Sequence, residues 1–166
     1  MLRTPIAAAV IALIALAAGG AAAQQAAPKE TVKVKHGDWE VRCGANDNCY
    51  MNQIVLDEGG APLINVAISQ LKNNPQADAV LQITAPLGVV LPRGIEMRID
   101  GGKPITLPFA YCLSNCVSSV PMTEEGLALL RRGAAATVKI YSVQKQNEAI
   151  ERKLSLSGFT KAYGAL

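Results

Sequence analysis

Apolar and polar residues alternate with a period of two along most of the chain after His36. Residues 95–100 show the pattern most clearly, with isoleucine or methionine at odd positions and charged side chains at even positions. This period is typical of a β-strand that buries one face. Similar stripes occur at residues 39–43, 64–68, 81–83, 138–140 and 150–156. The pattern therefore predicts a chain built mainly of short strands.

Turn and helix signals separate these strands. Residues 57–60 and 100–103 each contain two glycines where a tight reversal requires positive φ, so both predict hairpins. One helix is predicted between Thr123, a favourable N-cap, and Gly133, and two glutamates face the positive end of its dipole. Residues 159–166 predict a second brief helix or a docked coil. The fold class is therefore all-β, an antiparallel β-sandwich or barrel-like sandwich with one short helix.

The start of the chain has the features of a cleaved signal peptide. Arg3 supplies a positive charge, residues 6–18 form an apolar run, and three alanines end at Ala23. The run is shorter than the about 20 apolar residues that span a bilayer. No cysteine follows the cleavage region, which argues against a lipid anchor. We expect a periplasmic or secreted protein with no transmembrane segment in the mature chain.

The length and charge of the chain limit its organisation and its partners. At 166 residues, a single domain is the default expectation. We predict a signal peptide at 1–23, a flexible N-terminal arm at 24–35 and one β-sandwich domain at 36–166. The formal net charge is +3, and the lysines and arginines are scattered along the chain. Nucleic-acid binders concentrate basic charge on one face, so we expect no nucleic-acid partner.

The chain contains four cysteines in two close pairs, Cys43 with Cys49 and Cys112 with Cys116. In an exported chain such pairs favour disulfides. Three connectivities are possible, and crossed pairing over roughly 70 residues would add about 4 kcal/mol against about 2 kcal/mol for each short loop. Proximity during oxidation favours the local pairs. Neither pair has the Cys-x-x-Cys spacing of zinc knuckles or redox dithiols, so we expect no metal and no cofactor.

His36 is the only histidine in the sequence, which excludes a site with several histidine ligands. Any Ser-His-Asp arrangement would have to use this residue. It precedes a turn glycine at the start of a strand, which favours a structural role. Serines 114, 118 and 119 lack the Gly-x-Ser-x-Gly context of a nucleophile elbow.

Aromatic residues flank both cysteine pairs. Phe109 and Tyr111 precede Cys112, and Tyr50 follows Cys49. Alternation along an extended segment would send Phe109 and Tyr111 to the same side, and Tyr50 would extend the same surface. These three residues are our candidate partner-binding positions, because rings on a braced loop lose little conformational entropy on binding. The alternative is that the rings cover the disulfides.

Several motifs occur together in one order. They are His-Gly-Asp-Trp-Glu-Val-Arg-Cys at 36–43, Pro-Leu-Gly-Val-Val-Leu at 86–91, Leu-Pro-Phe at 107–109 ahead of the second cysteine pair, and Leu-Ser-Leu-Ser-Gly-Phe at 154–159. Together they resemble the invasion-associated locus B family of exported proteins from alphaproteobacteria. The resemblance implies a β-rich sandwich and a virulence-related role at the envelope or the host cell, with no established catalytic residue. The sequence departs from the family pattern at His36, where an aromatic residue is expected, and in the short loop between Cys112 and Cys116.

Two functions from different classes follow from these features. The first is a non-enzymatic exported protein that binds an envelope component or a host surface protein through disulfide-braced loops. The second is a periplasmic redox or hydrolytic enzyme that uses Cys112, Cys116 or His36. A thiol titration distinguishes them, because the first hypothesis requires no free thiol.

Overall fold

A computed structural model describes residues 30–44, 48–145 and 148–166. The predicted signal peptide, residues 1–23, and residues 24–29 of the predicted arm lie outside the described residues. In the described part, the chain forms eleven strands and two helices. Their bounds are β1 Thr31–His36, β2 Trp39–Cys43, β3 Cys49–Leu56, β4 Pro62–Gln70, β5 Ala79–Ala85, β6 Ile95–Ile99, β7 Ile105–Leu107, β8 Tyr111–Cys112, β9 Cys116–Met122, α1 Glu124–Arg132, β10 Ala135–Tyr141, β11 Ala149–Ser155 and α2 Phe159–Tyr163.

The strands form two antiparallel sheets. The larger sheet has seven strands in the order β1-β2-β3-β4-β5-β9-β8, and the smaller has four in the order β11-β10-β6-β7. The chain builds β1 to β5, crosses to β6 and β7, returns for β8 and β9, and crosses again through α1. One cluster of buried apolar side chains combines residues of both sheets and both helices. The all-β sandwich predicted from the alternation is therefore confirmed.

Polar side chains also join the two sheets. Gln53 on β3 donates to the backbone carbonyl of Ser155 on β11 and accepts from its N–H, each at 2.9 Å. The indole Nε1 of Trp39 donates to the same carbonyl at 3.0 Å. Its ring is fully buried and meets Phe159 edge to face, with the centroids 5.2 Å apart. Trp39, which belongs to the motif at residues 36–43, is thus a core residue.

Both predicted hairpins and the predicted helix are present. Residues 57–60 connect β3 with β4, and residues 100–103 connect β6 with β7. The helix α1 buries Leu127 and Leu130, whereas its Thr123 N-cap makes no side-chain hydrogen bond. Gly133 ends α1 at a negative φ. A Cβ there would lie 2.8 Å from the Ile99 side chain, so the glycine serves the close approach of α1 to β6.

Strand β1 corrects one expectation about the start of the fold. Residues 31–35 of the predicted flexible arm form β1, which pairs antiparallel with β2 from Thr31 opposite Cys43 to His36 opposite Trp39. The rest of the division into leader, arm and domain stays a prediction. Within the described residues, no helix combines the length and the apolar character needed to cross a membrane.

Candidate functional site

The larger sheet contains five strands without a single charged residue. Strands β3, β4, β5, β8 and β9 contain no Asp, Glu, Lys, Arg or His. These strands are also neighbours in the sheet, so the uncharged region is continuous. Since one side of each strand faces the core, the other side of this region presents neutral side chains only.

Strand register arranges these neutral side chains in rows. Tyr111, Val117, Thr84, Asn65 and Ile54 are successive cross-strand partners from β8 to β3. Two further rows lie beside this one. We call the residues on the side of the sheet away from the core the uncharged face: Tyr111, Val117, Thr84, Asn65 and Ile54 in the first row, Ser119, Gln82, Ala67 and Asn52 in the second, and Pro121, Val80 and Ser69 in the third. Val117, Ala67 and Asn52 are themselves buried, so the other nine residues form its exposed part. The face combines amide, hydroxyl and apolar groups.

The outer face of the smaller sheet has the opposite character. Lys139 on β10 forms ion pairs with Glu96 at 3.4 Å and Glu151 at 3.1 Å, and Arg98 lies 3.5 Å from Glu96. The Glu151 carboxylate, together with Glu96, raises the pKa of Lys139. We call this surface the ion-paired face. It has the charge pattern of a surface that faces water, so the two outer faces of the sandwich differ in kind.

Leu113, the most exposed large apolar side chain among the described residues, lies at one corner of the uncharged face. The disulfide between Cys112 and Cys116 closes a short loop, with the two Cα atoms 4.0 Å apart. Leu113 within this loop is 79% exposed, and Tyr111 beside it is 51% exposed. The Leu113 N–H donates to the carbonyl of Asn115 at 2.9 Å. The covalently closed turn therefore holds Leu113 in water, next to the exposed ring of Tyr111 on β8.

Phe109 differs from Tyr111 in its surroundings. It is partly buried and packs against the core cluster, whereas Tyr111 faces outward. The expected placement of both rings on one side is wrong, because residues 108–110 lie outside β7 and β8 and the two-residue alternation does not extend across them. Of the two rings, Tyr111 is therefore the exposed one and Phe109 belongs to the margin of the core.

Tyr50 lies on the same outer side of the sheet but at the far corner. It is four residues before Ile54 on β3, and four strand spacings of about 4.8 Å separate β3 from β8. Its hydroxyl donates to the Glu30 carboxylate. Burial, followed by this hydrogen bond, raises the pKa of Tyr50 to about 12. Tyr50 is therefore separated from Tyr111 by the width of the larger sheet, and its part in partner binding stays a prediction.

The groups of the enzyme hypothesis are dispersed. His36 ends β1, whereas the second cysteine pair joins β8 and β9 at the opposite edge of the larger sheet. The cysteines pair locally, Cys43 with Cys49 and Cys112 with Cys116. Within the described residues, no group of three or more His, Cys, Asp or Glu side chains is placed to hold a metal ion.

Two surface features were not predicted from the sequence. Leu113 was not singled out, although it is the most exposed of the large apolar side chains that the structure describes. The uncharged face was also missed. Its signal is nevertheless visible in the sequence, since residues 79–92 and 104–123 contain no charged side chain.

Comparison with known proteins supports the resemblance. A family model described as "Invasion associated locus B (IalB) protein" matches residues 39–166. The chain is also similar in fold to the crystal structure of invasion associated protein B from Bartonella henselae, with a TM-score of 0.69 and 18% sequence identity over 81% of this chain and 95% of that chain. None of the curated proteins compared with the chain matches it. Because the family model covers well over half of the sequence, the protein belongs to the invasion-associated locus B family.

Proposed function

We propose that this protein is an exported, non-enzymatic interaction protein that binds a protein of the bacterial envelope or of the host surface. The contact surface is the uncharged face together with the loop between Cys112 and Cys116. The observation that carries the proposal is the contrast between the two outer faces. One face is neutral across five strands, and the other is covered by ion pairs.

The chemistry of the uncharged face favours a protein partner. The buried centre of a protein interface is depleted of charged residues, since each unpaired charge would have to lose its water. Tyrosine is enriched among the residues that dominate binding energy. Tyr111 and Leu113 project from a loop that is already closed by a disulfide, so ordering them costs less entropy on association. The backbone of this loop is therefore preorganised for binding.

Export supports the same proposal. The predicted signal peptide would carry the chain to the periplasm or beyond, where disulfides form and persist. Two local disulfides suit that compartment. Family membership agrees with a role in invasion, and the contact with a host or envelope protein is our inference from the surface.

Capture of partner proteins by the mature chain tests this proposal. The chain beginning at Gln24 is immobilised and exposed to solubilised envelope proteins and, separately, to host-membrane proteins. Tyr111→Ser with Leu113→Ser is expected to reduce recovery of a specific partner at least tenfold. The control is Leu91→Ser with Val143→Ser, because these apolar side chains are each about half exposed, as Tyr111 is, and lie outside the uncharged face. An equal loss in both double variants would contradict the proposal.

The redox alternative is tested on the same preparation. Titration with a thiol reagent is expected to find no free thiol in the native protein. Partner capture should be unchanged after alkylation and in His36→Ala. Dithiol oxidase or reductase activity that disappears in Cys112→Ser would instead favour the enzyme.

A further inference from the structure

A second surface feature lies away from the uncharged face. A groove of about 430 Å³ runs between the β6–β7 hairpin and the last turns of α1. Its apolar lining consists of Met97, Ile99, Ile105 and Leu129. Ile105 and Leu129 are each 49% exposed, whereas Met97 is buried. The groove therefore descends from solvent to the edge of the core, and its volume falls within the range of small-molecule pockets.

Charged side chains stand at the rim of this groove. Lys103 and Arg132 both line it. Among the described residues, neither has an ion pair or hydrogen-bond partner, in contrast to the paired cations of the ion-paired face. The third charged group, the Asp100 carboxylate, is already engaged, since it accepts hydrogen bonds from the N–H groups of Ala134 and Ala135. Two cations thus remain available over an apolar floor.

We propose that this groove binds a single-chain anionic amphiphile of the fatty-acid class. The hydrocarbon chain would cover Ile105 and Leu129 and reach Met97, and the carboxylate would lie between Lys103 and Arg132. An apolar floor alone would accept any alkyl chain. The two rim cations add a preference for a negative head group, because partly desolvated opposite charges attract more strongly than they do in bulk water. This proposal does not depend on partner binding by the uncharged face.

Three surfactants that share one alkyl chain test the proposal. Dodecanoate, dodecyl maltoside and dodecyltrimethylammonium are titrated into the mature chain by calorimetry, each below its critical micelle concentration. We expect saturable 1:1 binding of dodecanoate that is at least tenfold tighter than binding of the neutral maltoside. The cationic surfactant should not bind in the groove. Equal affinity for all three, or no saturable binding of dodecanoate, would overturn the proposal.

Variants and methyl NMR spectra locate the site. Lys103→Ala with Arg132→Ala should remove the preference for dodecanoate over the maltoside. Lys153→Ala with Lys161→Ala should keep it, although both pairs remove the same charge from exposed positions. Methyl signals of Ile99, Ile105 and Leu129 should shift on dodecanoate addition, and this measurement requires no variant to fold. Shifts confined to other methyl groups would contradict binding in the groove. This outcome is independent of whether the uncharged face binds a partner.

Discussion

At the scale of single residues, two glycines far apart in sequence allow the backbone after β1 to pack closely against the backbone before α2. Gly37 and Gly158 both have positive φ. A Cβ at Gly158 would lie 2.0 Å from the backbone oxygen of His36, and one at Gly37 would lie 2.4 Å from that of Ser157. The sequence indicated a turn at Gly37. It could not reveal the contact with Gly158, because the two glycines are separated by most of the fold.

Replacement of Gly158 should be more harmful than replacement of a glycine in an open turn. Gly60→Ala is the control, since Gly60 also has positive φ but a Cβ there would meet no atom within 4 Å. Both variants carry the strain of left-handed backbone, about 1–2 kcal/mol. Gly158→Ala should lower the free energy of unfolding by about 1–3 kcal/mol more, because its Cβ collides with backbone. Equal losses in urea unfolding would contradict the close contact.

Asp100 predicts a pH-dependent contribution to stability. Hydrogen bonds from the backbone N–H groups of Ala135 and Ala134 lower the pKa of its carboxyl group. A lowered pKa in the folded state means that the stabilisation is complete above the ordinary Asp pKa of about 4. It is lost as the pH falls through the folded-state value. Asp100→Asn should therefore melt at a lower temperature than the parent at neutral pH, and the difference should vanish in acid. A constant difference from pH 7 to pH 2 would contradict this assignment.

At the scale of elements, the sequence predicted the strands and the helix whose buried side chains recur at a regular spacing. The alternating pattern at residues 95–99 corresponds to β6, and the helix predicted between Thr123 and Gly133 corresponds to α1. Strand β1 was missed because it is an edge strand with little burial; Val32, for example, is 50% exposed. Backbone hydrogen bonds to β2 hold this strand in place. Such bonds do not require alternating apolar side chains, so backbone pairing by itself leaves no hydrophobic pattern in the sequence.

The second disulfide should contribute more to stability than a surface ion pair. Cys112→Ser with Cys116→Ser should lower the free energy of unfolding by about 2 kcal/mol, because closing the loop restricts the unfolded chain. Arg131→Ala is the comparison. Its ion pair with Glu124 is partly exposed, and its guanidinium carbon lies 4.9 Å from the centre of the Tyr163 ring. Surface ion pairs contribute about 0–1 kcal/mol, and exposed cation–π contacts about 0.5–1 kcal/mol. Thermal melts of both variants, with reduced parent protein as a further sample, measure the difference. A cysteine variant as stable as Arg131→Ala would contradict a structural role for this disulfide.

At the scale of the whole molecule, the proposed function depends on which strands share a sheet. The sequence alone shows that five strands are uncharged, namely β3, β4, β5, β8 and β9. That these strands are neighbours in one sheet is known only from the structure. Strand β9 lies beside β5 only because the chain crosses to the smaller sheet and returns. The sequence predicted the sandwich and proposed Tyr111 as a candidate binding residue. The uncharged face required the topology, since pairing between distant strands leaves no local signal.

Site-specific photo-crosslinking tests the central claim most directly. A photoreactive amino acid is placed at Thr84 or Ser119 on the uncharged face, and at Thr106 or Thr137 on the outer side of the smaller sheet. Cells or envelope preparations that contain each protein are irradiated, and the adducts are identified by mass spectrometry. We predict that both positions on the uncharged face capture the same protein and that the two control positions do not. Adducts with that protein from Thr106 or Thr137 alone, or none from either position on the uncharged face, would contradict the account.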